Sequence, residues 1–369
     1  MTLSVRSPLP VRQQAEYASI SPEHVRISTA AAIELGLVPG RIQGGCGCGC
    51  INLLQTYATS CLANCGYCGL ARERPGLAED KSFIRVDWPV FPTNAVADRI
   101  AERDAQREVG RVCVAQVHDR RAYDDLIDMV GRVHARAPKV PISALVSASL
   151  LDDARLEAIR TSGVDIVGIG LDAASPAVFD RTRGRSARSP HDWDHHWEVT
   201  RSARRIFGPM RVNCHVVVGL GESDRDLVDL FHRMKAEQIA CYLFSFNPEP
   251  GTAMADAPRA PLERLRRVQL IKYLIEQHEL APSATTFDDT GALALLDAPD
   301  ELVRSTARVG LPFMTNGCPD RHGVMSCNRP YGSYRPGEPF RDYPFLPEGD
   351  ELHTIWTQMR LEDVWHDRA

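Results

Sequence analysis

Short apolar runs and longer amphipathic stretches alternate along the chain from about residue 51 onward. The apolar runs have the length and the β-branched content of buried strands, and they cover residues 51–57, 110–119, 141–149, 165–173, 211–221 and 241–248. The stretches between them have helical periodicity and cover residues 94–106, 123–136, 153–163, 191–206 and 224–237. Buried strands that alternate with helices in this way predict an α/β fold built on a parallel sheet.

Two further helical patterns and a long irregular tail flank this alternating region. Residues 22–36 have a helical pattern that ends at a glycine, and residues 261–280 have an amphipathic pattern that begins at a proline. From about residue 281 the periodicity breaks, and from 315 glycine, proline, arginine and tyrosine dominate. We therefore predict an N-terminal extension, a central domain and a C-terminal extension, over residues 1–50, 51–280 and 281–369.

Composition excludes several classes of function. The 369 residues are 44% hydrophobic and 25% charged with a net charge of −5, which is typical of a globular protein and disfavours binding to nucleic acid or to a membrane surface. The longest apolar run is shorter than the roughly 18 residues of a membrane span, and the first residues lack the apolar block of a signal peptide. We therefore expect a cytoplasmic protein. Neither a phosphate-binding Walker loop nor a G-x-S-x-G elbow is present.

The eleven cysteines require an explanation, because a reducing cytoplasm disfavours structural disulfides. Metal or redox chemistry is the leading interpretation. Six cysteines lie between Cys46 and Cys68, and Cys318 and Cys327 lie in the C-terminal extension. A local run of arginines between Arg181 and Arg188 fits either a solvated loop or an anion contact.

The segment Cys61-Leu-Ala-Asn-Cys65-Gly-Tyr-Cys68 places three thiols on one loop just after a predicted strand. Soft thiolate ligands favour an iron–sulfur cluster, and three of them leave one iron of a [4Fe–4S] cubane open to a chelating cofactor. A structural zinc site is the alternative, but it would require a fourth ligand and regular C-x2-C pairs. The C-x3-C-x2-C spacing therefore favours a cluster held by Cys61, Cys65 and Cys68.

This spacing, with Tyr67 directly before the last cysteine, resembles the signature of the radical S-adenosylmethionine (SAM) superfamily. The resemblance implies that SAM binds the open iron and is cleaved to a 5'-deoxyadenosyl radical, which abstracts hydrogen from an unactivated carbon. It also implies a partial (β/α)6 barrel of the TIM type with the cofactor at the carboxyl ends of the strands. A ferredoxin- or flavodoxin-type reductant is then the expected electron donor.

The resemblance further implies a set of cofactor contacts at those strand ends, namely Tyr67, Gln116, Asp172, Gly219, Gly221 and Glu222. Asp172, in GIGLDAASP, matches an acid that binds the ribose hydroxyls. In VVVGLGES the two glycines match backbone that lies beside the adenine, and Glu222 matches a residue that fixes the turn. Gln116 stands where the family usually has a Gly-Gly-Glu motif. Turn or helix-capping roles remain open for both acids.

A second, auxiliary cluster is the functional interpretation of Cys318 and Cys327, with thiols from Cys46, Cys48 and Cys50 as the other candidate ligands. Five cysteines for at most four positions leave at least one spare. Roughly 25–35 Å of extended chain separates Cys50 from the radical loop, so the two sites would not compete. This interpretation expects the C-terminal extension to fold back across the mouth of the barrel. Incidental thiols in a solvent loop are the alternative.

The combination of C-I-N-L-L-x-x-Y, C-x3-C-x2-C-G-L and C-N-R-P-Y-x-x-x-R-P-G is similar to the two-component lipoyl synthases, over roughly residues 30–345. The similarity implies sulfur insertion into an octanoyl chain on a lipoyl carrier protein, with a companion radical SAM subunit as partner. A biotin-synthase-like enzyme fits less well, because it needs cysteines on the second, third and fifth strands and the third has none. We interpret Cys113, Cys214 and Cys241 as core residues. A radical methylase or rearrangement catalyst also fits the cysteine loop, as does a noncatalytic iron–sulfur protein.

Overall fold

The computed structural model describes residues 19–42, 46–330, 332 and 337–365. The strands are β1 His24–Ile27, β2 Cys50–Leu54, β3 Val90–Pro92, β4 Arg111–Ala115, β5 Ile142–Val146, β6 Val164–Asp172, β7 Val212–Val218, β8 Ala240–Ser245, β9 Thr285–Phe287 and β10 Leu293–Leu296. The helices are α1 Thr29–Glu34, α2 Thr93–Gln106, α3 Ala122–Arg136, α4 Asp153–Thr161, α5 Pro176–Thr182, α6 Trp193–Phe207, α7 Asp224–Ala236, α8 Leu262–His278, α9 Asp300–Arg308 and α10 Asp350–Met359.

The predicted parallel sheet is confirmed. Strands β2, β4, β5, β6, β7 and β8 lie side by side in that order, and each pairs in parallel with the next. Each of these strands lies within or next to one of the six apolar runs, and most of their residues are buried. The fold is the α/β partial barrel that the sequence implied, and the sheet is open, with β3 and β8 as its edge strands.

The helix predicted over residues 22–36 is wrong in its first half. Residues 24–27 form β1, which pairs antiparallel with both β2 and β3, and only Thr29–Glu34 is helical. The Ser28 hydroxyl caps that helix by accepting from the amide of Ala31. Pairing on both edges satisfies the backbone groups of β1 and buries Val25 and Ile27 completely, and this outweighs the weak local preference for a helix.

Helices pack on the outer side of the strands through the apolar faces that the sequence predicted. In α3, for example, Leu126, Met129 and Val130 are fully buried. Side-chain caps begin several of these helices: the Asp192 carboxylate accepts from the amide of His195, and a capping box of Ser223 and Asp226 begins α7. Among the described helices none is long and apolar enough to cross a membrane.

The C-terminal region is more regular than its sequence pattern indicated. The predicted helix over 261–280 is confirmed as α8. Beyond it, β9 and β10 form an antiparallel hairpin, and α9 and α10 are amphipathic helices that the break in periodicity had hidden. Each of these helices is only about ten residues long, which is too short for a clear periodic signal.

The segment that carries Cys318 and Cys327 folds back across the amino ends of the strands, the end of the barrel at which Cys50 begins β2. The Arg111 guanidinium on β4 donates to the carbonyl of Pro319 (2.6 Å), and the Ser326 hydroxyl donates to the carbonyl of Gly49 (2.6 Å). Glycine is required for this approach, because a Cβ on Gly49 would lie 2.4 Å from the Ser326 carbonyl oxygen. The extension therefore closes the end of the barrel opposite the Cys61–Cys68 loop.

Candidate active site

The loop that carries Cys61, Cys65 and Cys68 follows β2 and is held by the carboxyl ends of other strands. The amide of Leu62 donates to the carbonyl of His118 (2.8 Å), just after β4. The amide of Gly66 donates to the carbonyl of Thr182 (2.7 Å), and its own carbonyl accepts from the amide of Met254 (2.9 Å). Segments that follow three different strands thus set the position of the cysteine loop.

The three thiols line one cavity of about 210 Å³ that opens at the carboxyl ends of the strands. The amide of His118 donates to the Cys61 sulfur (3.3 Å). Burial raises the pKa of all three thiols, that of Cys65 to about 11, so metal binding must displace protons from them. In the part of the chain that the structure describes, no three His, Cys, Asp or Glu side chains stand close enough to hold a single metal ion. The ligand assignment stays a prediction.

Asp172, Tyr67 and Arg183 form a buried polar triad on the wall of this cavity. Asp172 ends β6 with a positive φ of 62°, and its carboxylate pairs with the Arg183 guanidinium and accepts from the Tyr67 hydroxyl (2.5 Å). Arg183 also donates to the Tyr67 oxygen (3.1 Å). Burial and the neighbouring Asp172 raise the pKa of Tyr67 well above its usual range. The triad therefore presents one anionic and one cationic group to the cavity.

Arg183 is the residue of this triad whose role the sequence left open. It belongs to the run of arginines between Arg181 and Arg188, which the sequence allowed to be either a solvated loop or an anion contact. The side chain of Arg183 is only 10% exposed. Its Nε is buried and has no hydrogen-bond partner among the described residues. The rest of the run behaves as a solvated loop, with Arg188 exposed and paired to Glu73.

Gln116 lies on the cavity wall just after β4, and both ends of its amide are used. Its Nε2 donates to the carbonyl of Ala122 (3.0 Å), and its Oε1 accepts from the amide of Ser147 (3.1 Å). The side chain thereby ties the end of β4 to the end of β5. Its predicted contact with the cofactor remains a prediction.

Glu222 holds the turn after β7. Its carboxylate accepts from the amides of Gly219 (2.9 Å) and Leu220 (2.8 Å) and pairs with Arg264 (3.1 Å). Gly219 and Gly221 have φ values of 111° and 101°, which only glycine adopts without strain. Gly219, Gly221 and Glu222 do not line the cavity, and their predicted contacts with the cofactor stay untested.

A second group of thiols lies deeper, toward the amino ends of the strands. Cys113, Cys318 and Cys327 line a cavity of about 80 Å³, and the thiols of Cys50 and Cys327 each donate to the Asn52 amide oxygen, at 3.6 and 3.9 Å. The neighbouring Cys50 thiol lowers the pKa of Cys327 to about 7. The two cavities share five wall residues, namely Phe83, Ile84, Leu145, His215 and Phe244. We call Cys50, Cys113, Cys318 and Cys327 the inner thiol group.

The structure separates the other cysteines from this group and corrects one prediction. Cys113, interpreted as a core residue, lines the inner cavity. Cys214 and Cys241 are buried and line neither cavity, as expected of core residues. Cys48 is buried, with its thiol donating to the carbonyl of Cys50 (3.1 Å), and Cys46 is half-buried; neither lines the inner cavity, and their ligand roles are untested.

Comparison with known proteins relates part of the chain to one family. The model of the Radical SAM superfamily matches residues 57–234, just under half of the chain, from the cysteine loop to the seventh helix. This part of the chain is similar to the radical SAM superfamily, and the similarity implies a [4Fe–4S] cluster and SAM as cofactors.

The individual relatives that the chain matches are distant. It is 26% identical over 242 residues to a biotin synthase from Rhizobium rhizogenes, a match that covers 63% of this chain and 68% of the relative. A biotin synthase from Bordetella avium is 25% identical over 243 residues with the same coverage. The solved structure of a methylornithine synthase covers 92% of this chain and 87% of its own at 13% identity and a TM-score of 0.48.

The residues that line the cavity of the Cys61–Cys68 loop fit the two cofactors. Three soft donors stand on one cavity wall with Asp172 and the unsatisfied Arg183 Nε beside them, which suits a cluster and a zwitterionic ligand with hydroxyl groups. When bound, the cluster and SAM supply a radical that abstracts hydrogen from carbon. The chain itself would bind the ribose through Asp172, orient that carboxylate through Tyr67 and Arg183, and exclude water with the apolar walls.

Proposed function

We propose that this radical SAM enzyme inserts sulfur into an octanoyl chain on a lipoyl carrier protein. The observation that carries the proposal is the position of the inner thiol group. Its cavity shares five wall residues with the cavity of the radical loop, so a substrate between them would face hydrogen abstraction at one end and a sulfur source at the other.

The walls between the two ends suit an alkyl chain. Leu145 and Phe244 line both cavities, and Val146, Val217 and Phe246 line the outer one. An octanoyl chain has no polar group beyond its carbonyl, so apolar walls would bind it by the hydrophobic effect and leave its carbons free for hydrogen abstraction. The carbonyl and the carrier would remain outside the barrel.

The same proposal includes three partners: an octanoylated carrier domain, a companion radical SAM subunit and a ferredoxin- or flavodoxin-type reductant. Its support is the similarity of the N-terminal and C-terminal cysteine motifs to the two-component lipoyl synthases, together with the contact that the structure makes between those motifs at Gly49 and Ser326. An auxiliary [4Fe–4S] cluster at the inner thiol group would be the sulfur donor.

Biotin-synthase-like sulfur insertion is the second candidate, and the curated relatives favour it. The arrangement of the strands argues against it. Ser143 on β5 is the register partner of Cys113, so the third parallel strand offers a hydroxyl where a thiol would be needed. On the fifth strand the Cys214 thiol contacts Thr200 of α6, and Asn213 lines the inner cavity instead.

A sulfur-transfer assay tests the proposal. The reduced protein with SAM and a peptide that carries octanoyl-lysine is expected to yield a thiolated peptide by mass spectrometry, while a biotin precursor in its place stays unchanged. The Cys65→Ala variant is the control, because it should form neither 5'-deoxyadenosine nor product. Formation of 5'-deoxyadenosine with no sulfur in either substrate would instead indicate a methylase or a rearrangement catalyst, and failure to cleave SAM would indicate a noncatalytic protein.

A further inference from the structure

We infer that Cys50, Cys113, Cys318 and Cys327 are the four ligands of a second iron–sulfur cluster, buried at the amino end of the barrel. The inference deepens the proposed function, which needs a sulfur source, and rests on it for the purpose of the cluster. The assignment itself stands on the geometry of the four thiols. It brings in Cys113 as a ligand and leaves out Cys46 and Cys48.

Two of the ligands are carried by neighbouring parallel strands. Cys50 begins β2 and is the register partner of Arg111, two positions before Cys113 on β4. Side chains two positions apart on a strand point to the same face, and both Cys113 and its register partner Asn52 line the inner cavity. Cys50, two positions before Asn52, therefore faces the same interior.

The other two ligands come from the C-terminal extension, where the backbone folds them together. The amides of Ser326 and Cys327 both donate to the carbonyl of Cys318, at 3.0 and 3.2 Å. This turn brings Cys327 to the thiol of Cys50 and places Cys318 beside Asn213 on β7. Three of the four thiols thus line one cavity, and the thiol of the fourth, Cys50, shares the Asn52 amide oxygen with Cys327.

The polar atoms around the cavity are incompletely satisfied. Asn213 is buried and donates through Nδ2 to the Cys318 sulfur (3.6 Å), yet its Oδ1 has no hydrogen-bond partner among the described residues. The Nε of Arg329, on the same wall, is likewise buried and without a hydrogen-bond partner in the part of the chain described. Buried polar groups in this state are unusual and mark a site that a ligand completes.

Two guanidinium groups supply the charge that such a ligand needs. Arg111 is 1% exposed, pairs with Asp165 (2.5 Å) and lies near Cys50 and Cys318. Arg329 is stacked on the Phe244 ring (3.6 Å) and lies near Cys318 and Cys327. A cluster held by four thiolates is anionic, and cations at this depth would offset the cost of burying it.

The size of a cubane explains why these thiols need not converge on a point. Each thiolate of a [4Fe–4S] cluster binds a different iron, so the four sulfurs stand farther apart than the ligands of a single zinc ion. A cavity of about 80 Å³ adjoins three of the thiols, those of Cys113, Cys318 and Cys327.

Two buried cysteines on the same sheet serve as matched controls. Cys214 on β7 contacts Thr200 of α6, and Cys241 on β8 lies near Lys272 of α8, so both thiols face the outer helix layer. Replacing either with alanine removes a buried thiol from a parallel strand, as Cys113→Ala does, but leaves the inner cavity unchanged.

Iron content of the full chain, purified anaerobically, tests the assignment. The wild-type protein and the Cys214→Ala variant should each contain about eight irons and show two reduced-cluster signals by electron paramagnetic resonance, since two cubanes hold about eight. Cys113→Ala should lose or change the signal of the second cluster, because only three thiolates remain at the inner site, and should still cleave SAM. Both signals unchanged in Cys113→Ala would overturn the assignment.

A second set of variants tests Cys113 if the Cys113→Ala protein does not fold. The variant with Cys61, Cys65 and Cys68 all changed to alanine should retain about four irons, and adding Cys113→Ser to it should remove this iron or shift its signal, because a serine oxygen replaces a sulfur ligand. An unchanged signal there would exclude Cys113. Normal iron content with no sulfur transfer would refute the proposed function and leave the ligand assignment standing.

Discussion

Replacing Asp172 with alanine should destabilise the protein and weaken SAM binding, and the two effects can be separated. The carboxylate is 15% exposed and its partner Arg183 is 10% exposed, so the change leaves a nearly buried guanidinium without its counter-ion. Breaking such a pair typically costs about 3–5 kcal/mol of unfolding free energy. Alanine at a φ of 62° adds about 1 kcal/mol, because the left-handed region disfavours a Cβ.

Asparagine is the matched substitution. It tolerates a positive φ, and its amide oxygen can still accept from Arg183 and Tyr67, so we expect Asp172→Asn to lose only about 1–2 kcal/mol of stability. The double variant Asp172→Ala/Arg183→Met should be more stable than Asp172→Ala alone, because no unpaired charge remains buried. Urea unfolding under anaerobic conditions measures all three.

Affinity for SAM is measured on the same proteins by equilibrium dialysis. A charge-assisted hydrogen bond to the ribose is worth about 1.5–3 kcal/mol, so Asp172→Ala should bind SAM at least roughly tenfold more weakly, and the double variant should recover stability without affinity. An unchanged dissociation constant in both would show that Asp172 holds Arg183 and does not touch the cofactor. A stability loss below about 1 kcal/mol in Asp172→Ala would refute the energetic value assigned to the buried pair.

Three further variants test other parts of the molecule. Cys65→Ala should abolish 5'-deoxyadenosine formation, measured by chromatography, while the fold is retained. Burial lowers the pKa of His196 to about 3, so this side chain binds a proton below about pH 6.5 in the unfolded state but not in the folded state. Its contribution to the unfolding free energy therefore falls by about 2 kcal/mol between pH 7 and pH 5. Over the same pH range the unfolding free energy of His196→Phe should fall by about 2 kcal/mol less than that of the wild type. Gly131→Ala in α3 meets no atom within 4 Å and should raise the unfolding free energy by about 0.5–1 kcal/mol.

Each of these expectations has an outcome that contradicts it. Normal SAM cleavage by the Cys65→Ala protein would remove that residue from the radical cluster. An equal loss of stability between pH 7 and 5 in wild type and His196→Phe would mean that other groups carry the whole acid effect. A destabilised Gly131→Ala would show that the outer face of α3 is covered in solution.

Local pattern was sufficient for the sheet and for the radical loop. The buried strands are continuous runs of β-branched and aliphatic residues between amphipathic helices. The sheet buries both faces of such a run and the apolar faces of the helices pack on the sheet, so local pattern and tertiary packing favour the same parallel α/β arrangement. Cys61, Cys65 and Cys68 lie on one loop, so the order of residues alone predicted that they stand on one cavity, while their role as ligands stays a prediction. Where pairing competes with local preference the pattern failed, as in residues 24–27, which lie between two strands.

Tertiary structure alone decided which residues meet across the chain. Arg183 stands in a polar run that is typical of solvent, yet it is buried because Asp172 and Tyr67 offer it a counter-ion and an acceptor. Cys113 and Cys214 both have the sequence context of a core cysteine. They differ only in the face of the sheet that their side chains occupy, because Cys113 lines the inner cavity and Cys214 contacts α6. A shift of one position along a strand moves a side chain to the other face of the sheet. When both faces are buried, no local pattern of apolar and polar residues shows which face a side chain occupies. The end of the barrel at which the extension docks depends on contacts over more than two hundred residues of chain, such as Arg111 with Pro319, which sequence order cannot reveal.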